Sequence, residues 1–460
     1  MTRFADRRRA STPGLLPALV LSGALPVVLP VVLTWLLPLA LALGVGAVAA
    51  AEEPFRPEPG TFPPLDKAHA YRGELVFVDH ANRRGSVRVQ GSGMFFRNDP
   101  HPFALLPYGI VRFHGAPADL RDIPLGTVLH VHAFLPPDPR ISSVPVLPVD
   151  NKTKDANHNR GSGIAPAENH VLLLEDEPSH CLREGLAWKL VEVDVKNEQG
   201  TLVAHREPRD GGSGTVGDAA AAGPPGLEKL SFDAATRLWR GRERLTVGEW
   251  IAEAAWPADG KRSLEGGPVL LGITWKPTRD GVFTQFHVSD IWLDEAAIER
   301  AAEQQRAVHR AFIRSRWMPA RIDAVEYGSF GRAIVTATLF GGMDAALYDD
   351  FKKGGTALIN AVENTLKHTH GAYGPGHMAS RGPILDVVRT PGEAPLGSSG
   401  IQIRVETDLI IEGIRPGRTV RVNPGTGIWP QVNVPREEYL DDGSASAGER
   451  FPTPAIFPKY

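Results

Sequence analysis

Residues 293–316 constrain this chain most, because they carry a long helical period between segments that otherwise read as short β-strands. Ala296, Ile298, Ala301, Ala302, Val308, Phe312 and Ile313 recur at a period of about 3.6, between Glu295, Glu299, Arg300, Glu303, Gln304 and Arg310. That pattern predicts an amphipathic helix burying one stripe. Asp294 stands where an N-cap belongs, Glu295 complements the positive end of the helix dipole, and Arg314 and Arg316 complement the other end. Pro319 forbids continuation, so the helix is expected to stop at about Trp317.

The remaining sequence favours turns and strands. It holds 48 Gly and 40 Pro, yet 42% of residues are hydrophobic and 22% charged, a globular balance. A single cysteine, Cys181, excludes an intrachain disulfide framework and a cysteine-based zinc site. Arg7-Arg8-Arg9 precede an uncharged apolar run over residues 15–51 that ends Ala47-Val48-Ala49-Ala50-Ala51. A basic start, an apolar stretch and small residues at alternate positions describe a secretory signal peptide, cut after Ala49 or Ala51. A retained membrane anchor is the alternative, since roughly 20 apolar residues span a bilayer, although Pro26, Pro30 and Pro38 interrupt the run. Either reading places the rest of the chain outside the cytoplasm, secreted or periplasmic, with a tether at 15–51 in the second case. The formal charge is −3, and without residues 1–51, where four arginines face Asp6, it is about −6. Nucleic acid is therefore excluded as the expected partner.

Taken in order, residues 52–68 read as a Pro-rich linker and 69–148 as a first β-barrel module, with strands at 71–80, 86–89, 109–114 and 127–134. A polar linker follows at 149–168, with a glycosylation sequon at Asn151-Lys152-Thr153. Residues 169–293 form the second module, with strands at 171–174, 188–195, 201–205, 230–232, 269–275 and 283–288 around a loop at 208–226 expected to be mobile. The helix at 294–316 connects it to a β-rich third module at 317–435, with strands at 320–325, 333–340, 356–360, 401–405, 409–411 and 419–422 and a short helix at 344–352. Residues 436–460 are expected to be an irregular tail.

A faint repeat runs through these modules. Phe113, Gly115, Leu120, Asp122 and Gly126-Thr127 correspond to Phe340, Gly342, Leu347, Asp349 and Gly355-Thr356, and the step from Phe232 to Trp239 is a weaker third copy. Strand, short helix or turn, glycine, strand is also how an OB-type barrel joins its third and fourth strands. The fold class expected is thus mainly β: tandem small antiparallel OB-like barrels joined by one long amphipathic helix.

For chemistry, His130 and His132 alternate on a strand and face one side, the spacing of two ligands to a shared zinc or copper ion. Asp79, His80, His101 and His114 are on offer as a third ligand, and nothing in the sequence selects one; two strand histidines without metal are the simpler state. His368, His370 and His377 surround a Gly-Pro loop that reads as solvated. Glu175-Asp176-Glu177 with His180 and Cys181 is the densest titratable cluster, but adjacent strand residues point oppositely, and a lone buried thiol is the expected state of Cys181. Asp349-Asp350, Glu437-Glu438 and Asp441-Asp442 lack the spacing of a calcium loop. Gly91-Ser92-Gly93, Gly161-Ser162-Gly163 and Gly211-Gly212-Ser213-Gly214 lack the context of a nucleophile elbow or a phosphate cradle. Trp239, Trp250, Trp256, Trp275 and Trp292 concentrate in the middle module, where tryptophan can stack on sugars or fill a core.

No catalytic, cofactor-binding or metal residue is nominated from sequence, and no cofactor is implied. The expected function is that of an exported non-enzymatic protein binding an envelope glycan or another extracytoplasmic protein. The alternatives are an extracytoplasmic metal-dependent hydrolase centred on His130 and His132, and a structural spacer without a ligand.

Overall fold

In a computed structural model, residues 55–58, 60–80, 83–89, 100–135, 169–209, 226–278, 284–360, 379–407 and 414–429 are described. The leader or anchor at 1–51, the linker at 149–168, the strand at 409–411, the tail, the sequon, the three glycine triplets and the loop holding His368, His370 and His377 lie outside the described residues, as does most of 208–226. The chain is mainly β: two closed rings and one open, curled sheet.

The first ring uses β1 (His69–Asp79), β2 (Arg84–Arg88), β3 (Pro100–Phe113), β5 (Val128–Phe134) and β6 (Asn169–Asp176), with the two-residue β4 (Ala116–Pro117) attached to β3. The order β2-β1-β5-β6-β3 is closed by the pairing of β2 with β3, and β3 runs parallel to β6. Leu75, Val87, Phe103, Leu105, Leu129, Val131 and Leu174 fill its interior. Alternation alone would put Phe77 beside Leu75, but a register shift between them turns Phe77 out to 41% exposure. From sequence the second module is expected to begin at residue 169. In the structure β6 instead completes the first ring, pairing across a long sequence gap that periodicity does not register.

Helix α1 (Glu177–Glu184) leads to the middle sheet: β7 (Leu186–Lys196), β8 (Gln199–Pro208), β9 (Glu228–Phe232), β10 (Arg237–Arg240), β11 (Glu243–Thr246), helix α2 (Val247–Ala252), β12 (Asp259–Ser263), β13 (Leu270–Pro277) and β14 (Thr284–Trp292). Its order is β11-β10-β14-β9-β8-β7-β12, with β13 also on β14, so this module is an open sheet where a barrel is expected from sequence. The β7–β8 hairpin turns on Asn197 and Glu198 at φ 53° and 58°, the left-handed pair of a two-residue primed turn. Trp188, Trp256, Trp275 and Trp292 belong to the core, with Trp239 and Trp250 packed against it. No row of open indole faces remains among them for sugar stacking.

Helix α3 (Glu295–Arg316) begins and ends where its sequence signals lie. The Ala297 amide donates to Asp294 at 2.8 Å, and Trp317, at φ 63° and fully buried, breaks the helix before β15. Its buried stripe is Ala297, Ile298, Ala302, Gln305, His309, Phe312, Ile313 and Arg316. Val308, expected on that stripe, is 48% exposed, and Ala296 is exposed too. The first turns pack on the middle core, the last on the third, and between them Gln305 donates to Asp122 of the first ring at 2.9 Å. Polar residues occupy the stripe because the helix covers module ends as well as cores.

The third module closes β15 (Met318–Tyr327), β16 (Ala333–Phe340), β17 (Thr356–Asn360), β18 (Ala379–Arg389), β19 (Ser398–Thr407) and β20 (Thr419–Asn423) into a six-strand ring, with helix α4 (Ala345–Tyr348) after β16. The described pairs in this ring are antiparallel, in the order β15-β16-β19-β18-β17-β20. Of the residues in the suggested repeat, Leu120 and Leu347 sit on short helices, preceded by Gly115 and Gly342 at positive φ. Trp239 of the third copy lies on β10 instead, and the two rings differ in strand order.

Candidate functional site

The candidate metal centre forms where β5, β6 and α1 meet on the outer face of the first ring. Leu129, Val131 and Ala133 point inward from β5, which turns His130 and His132 outward together. On the neighbouring strand Glu175 lies opposite His130 and Leu173 opposite His132. The chain then starts α1: the Ser179 amide donates to Asp176 at 3.0 Å, Pro178 occupies the first turn, and Gly185 ends the helix at φ 68°. Helical spacing puts His180 one turn from Glu177, and both meet His130, Glu177 by its carboxylate and His180 by its ring. From sequence the strand is expected at 171–174, and applying its alternation to 175–181 separates these side chains. Asp176, Pro178 and Gly185 are the start and stop signals that mark the helix.

Two buried carboxylates stand here in different states. Glu177 accepts from Arg206 Nε at 2.7 Å, from Arg206 Nη2 at 3.0 Å and from Trp188 Nε1 at 3.0 Å, and lies 2.7 Å from His130 Nε2. Burial pushes its carboxyl up, but Arg206 and His130 outweigh that and hold it well below the usual range. Cys181 donates to the same carboxylate at 3.4 Å, and burial pushes its thiol well up, which favours the protonated thiol. Glu175 is also fully buried, yet only one of its oxygens is engaged, by Arg183 Nε at 2.8 Å; the other has no partner. Burial raises the Glu175 carboxyl against the opposing pull of Arg183.

Around Glu175 the imidazoles converge. One ligand atom each from His132, Glu175 and His180 lie within 4.8 Å of one another. The His180 ring stacks on His130 at 3.7 Å and 6°. Burial, with His130 adding to it, lowers its pKa to about 2, which favours the neutral imidazole. Arg183 Nη2 lies 3.4 Å from both His132 Nε2 and His180 Nδ1, so its guanidinium fills the gap between the three groups.

The structure thus joins two clusters that the sequence shows 40 to 50 residues apart, but redistributes them. His132 is in the three-residue set; His130 is held by Glu177. The suggested third ligands are elsewhere: His114 lies against Phe113 and Trp292, and His101 pairs with Val87 across β2 and β3. Neither a protein-family model nor a curated protein nor a solved structure matches this chain.

Proposed function

We propose that this is an exported multi-barrel binding protein whose first barrel holds a divalent transition metal between His132, Glu175 and His180. The observation that carries the reading is the convergence of two imidazole nitrogens and a carboxylate oxygen within 4.8 Å, on a buried carboxylate with one oxygen unpartnered. A buried carboxylate oxygen without a partner costs on the order of 1–3 kcal/mol, which an ion held by both oxygens of Glu175 would relieve. Two histidines and a glutamate are a zinc donor set, and imidazole also suits copper and nickel. Arg183 competes for the same place, so metal enters as its guanidinium swings outward toward Glu184, with which it already pairs. The ring order β1-β2-β3-β6-β5, with β3 and β6 parallel and a short helix between β3 and β5, supports an OB-like identity for this barrel. The basic start and the apolar run at 15–51 support export, with or without a membrane tether.

Of the two partners expected from sequence, the extracytoplasmic protein is retained. The envelope glycan loses its stacking platform, since the middle-module tryptophans are buried in the core or packed against it. A metal-dependent hydrolase is the second reading, favoured by a three-residue ligand set, which in catalytic zinc sites leaves a position for water. Binding is placed first because His130, the nearest imidazole outside the set, is already held by Glu177.

Calorimetric zinc titration of the untagged full chain, stripped with chelator, tests the proposal. One saturable site is expected, weakened at least about 100-fold in His180→Ala, itself checked for folding by circular dichroism. Zinc-dependent hydrolysis of simple esters or phosphoesters would promote the second reading. Absence of saturable binding would leave a spacer without a ligand.

A further inference from the structure

The outer face of the first ring carries a row of charged and titratable side chains in register. Arg72 of β1 lies opposite His130 of β5, His130 opposite Glu175 of β6, and Glu175 opposite Arg112 of β3. Val111 and Leu174 point into the ring, so Arg112 and Glu175 share the outer face, one strand spacing of about 4.8 Å apart. Arg112 thus flanks Glu175 on the side away from His130 and His132.

The other arginines around this face are engaged. Arg72 forks onto Glu228 at 3.1 and 2.7 Å and lies over the Phe286 ring. Arg206 holds Glu177 and Glu228, and Arg183 holds Glu175 and Glu184. Arg112 differs. It is half-buried, yet among the described residues no hydrogen bond, ion pair or ring contact holds its guanidinium. Burial raises the Glu175 carboxyl, and Arg112 stands after Arg183 among the charges that oppose it, so the guanidinium is within electrostatic reach of the site. A guanidinium partly withdrawn from water without a partner keeps its planar fork of donors for a ligand.

Charge and shape select that ligand. A divalent ion on His132, Glu175 and His180 meets one negative charge, because imidazoles bind metal as neutral rings. The ion therefore stays net positive, and Arg112 adds a further positive charge beside it. Three protein ligands also leave the fourth tetrahedral position of a zinc ion open. An occupant that joins the two must offer one oxygen to the metal and two to the arginine fork. A carboxylate has only two oxygens and one negative charge; a phosphate group has enough of both. We infer that the metal and Arg112 together hold a tetrahedral oxyanion of the phosphate class, free or as a monoester. This inference rests on the metal reading above.

Calorimetry on the full chain tests it. The zinc-loaded protein, freed of excess zinc, is titrated with inorganic phosphate and with phenyl phosphate. One saturable site is expected, absent from the chelator-stripped protein and weakened at least about tenfold in Arg112→Gln, whose fold is checked by circular dichroism and whose zinc site is titrated separately. Arg112→Lys is expected to recover only part of the affinity, because an ammonium retains the charge and loses the fork. Tighter binding of phenyl phosphate would support an ester as the occupant, and tighter or equal binding of inorganic phosphate the free ion. A saturable zinc site without saturable phosphate binding, or equal phosphate binding in Arg112→Gln, would overturn the inference and leave the metal reading standing. Equal phosphate binding by the stripped protein would overturn the bridge between metal and arginine, and displacement of phosphate by equimolar acetate would overturn the phosphate assignment. No saturable zinc site would remove the metal reading and this inference together.

Discussion

Glu175 and Glu177 are two residues apart and both fully buried, yet they do different work. The carboxylate of Glu177 is saturated by Arg206, Trp188 and His130, whereas Glu175 keeps an oxygen free. Removing the charge of Glu177 leaves the half-buried Arg206 with Glu228 alone as counter-charge, and leaves Trp188 and His130 facing a neutral amide. Glu177→Gln is therefore expected to destabilise the fold by about 3–5 kcal/mol. Glu175→Gln is expected to cost far less while abolishing metal binding, and urea midpoints of the two variants check the contrast. Little of this is legible in sequence. The chemistry-bearing types are visible at His130, His132, Glu175 and His180, but the pairing of β5 with β6 that joins them is non-local. Sequence alternation also hides the helix that turns His180 back over the strand.

Helix α3 shows what an element's pattern does and does not reveal. Its start at Asp294 and stop before Pro319 follow from local chemistry and are readable. Its buried stripe is not, because Gln305, His309 and Arg316 face polar ends of other modules, a tertiary choice that leaves Val308 outside. His309 then couples the helix to pH. Burial lowers its pKa to about 4, partly offset by Asp122 and Asp344 and reinforced by Arg121. A depressed folded pKa means that the stability is present above the unfolded value near 6.5 and lost as pH falls through about 4. His114, His170 and His287 are lowered to about 4 in the same sense, while Asp176, raised to about 6, acts oppositely. Denaturant midpoints are expected to fall between pH 6.5 and 4, and His309→Gln is expected to remove on the order of 3 kcal/mol of that dependence. An unchanged slope in the variant would reject this account of His309.

At the scale of the molecule, the first ring and the middle sheet are one packing unit. Arg72 and Arg206 both hold Glu228, at 2.7 and 3.1 Å, Trp275 donates its amide to Gly126 at 3.0 Å, and Val128 of β5 belongs to the middle core. Glu228→Gln is expected to lower stability by about 1–2 kcal/mol, less than Glu177→Gln, because Glu228 is partly exposed. It is also expected to leave one cooperative transition for these two modules, a point that calorimetry of the variant settles. Strand content and the small-barrel class were readable from alternation and turn chemistry. Strand order was not, because hydrophobic period says which residues are buried and nothing about which strands pair. That is why β6 is assigned to the wrong module from sequence, and why the open middle sheet reads as a barrel.

In the proposed site Arg183 occupies the place of the metal that His132, Glu175 and His180 would hold. Zinc titration of the full chain beside its Arg183→Gln variant tests this most directly. If the guanidinium competes for the site, the variant binds zinc about tenfold more tightly at unchanged stoichiometry. Equal or weaker binding in Arg183→Gln, with the fold intact, would contradict the competition, and no saturable binding in either protein would show that the arginine is the cation of this site.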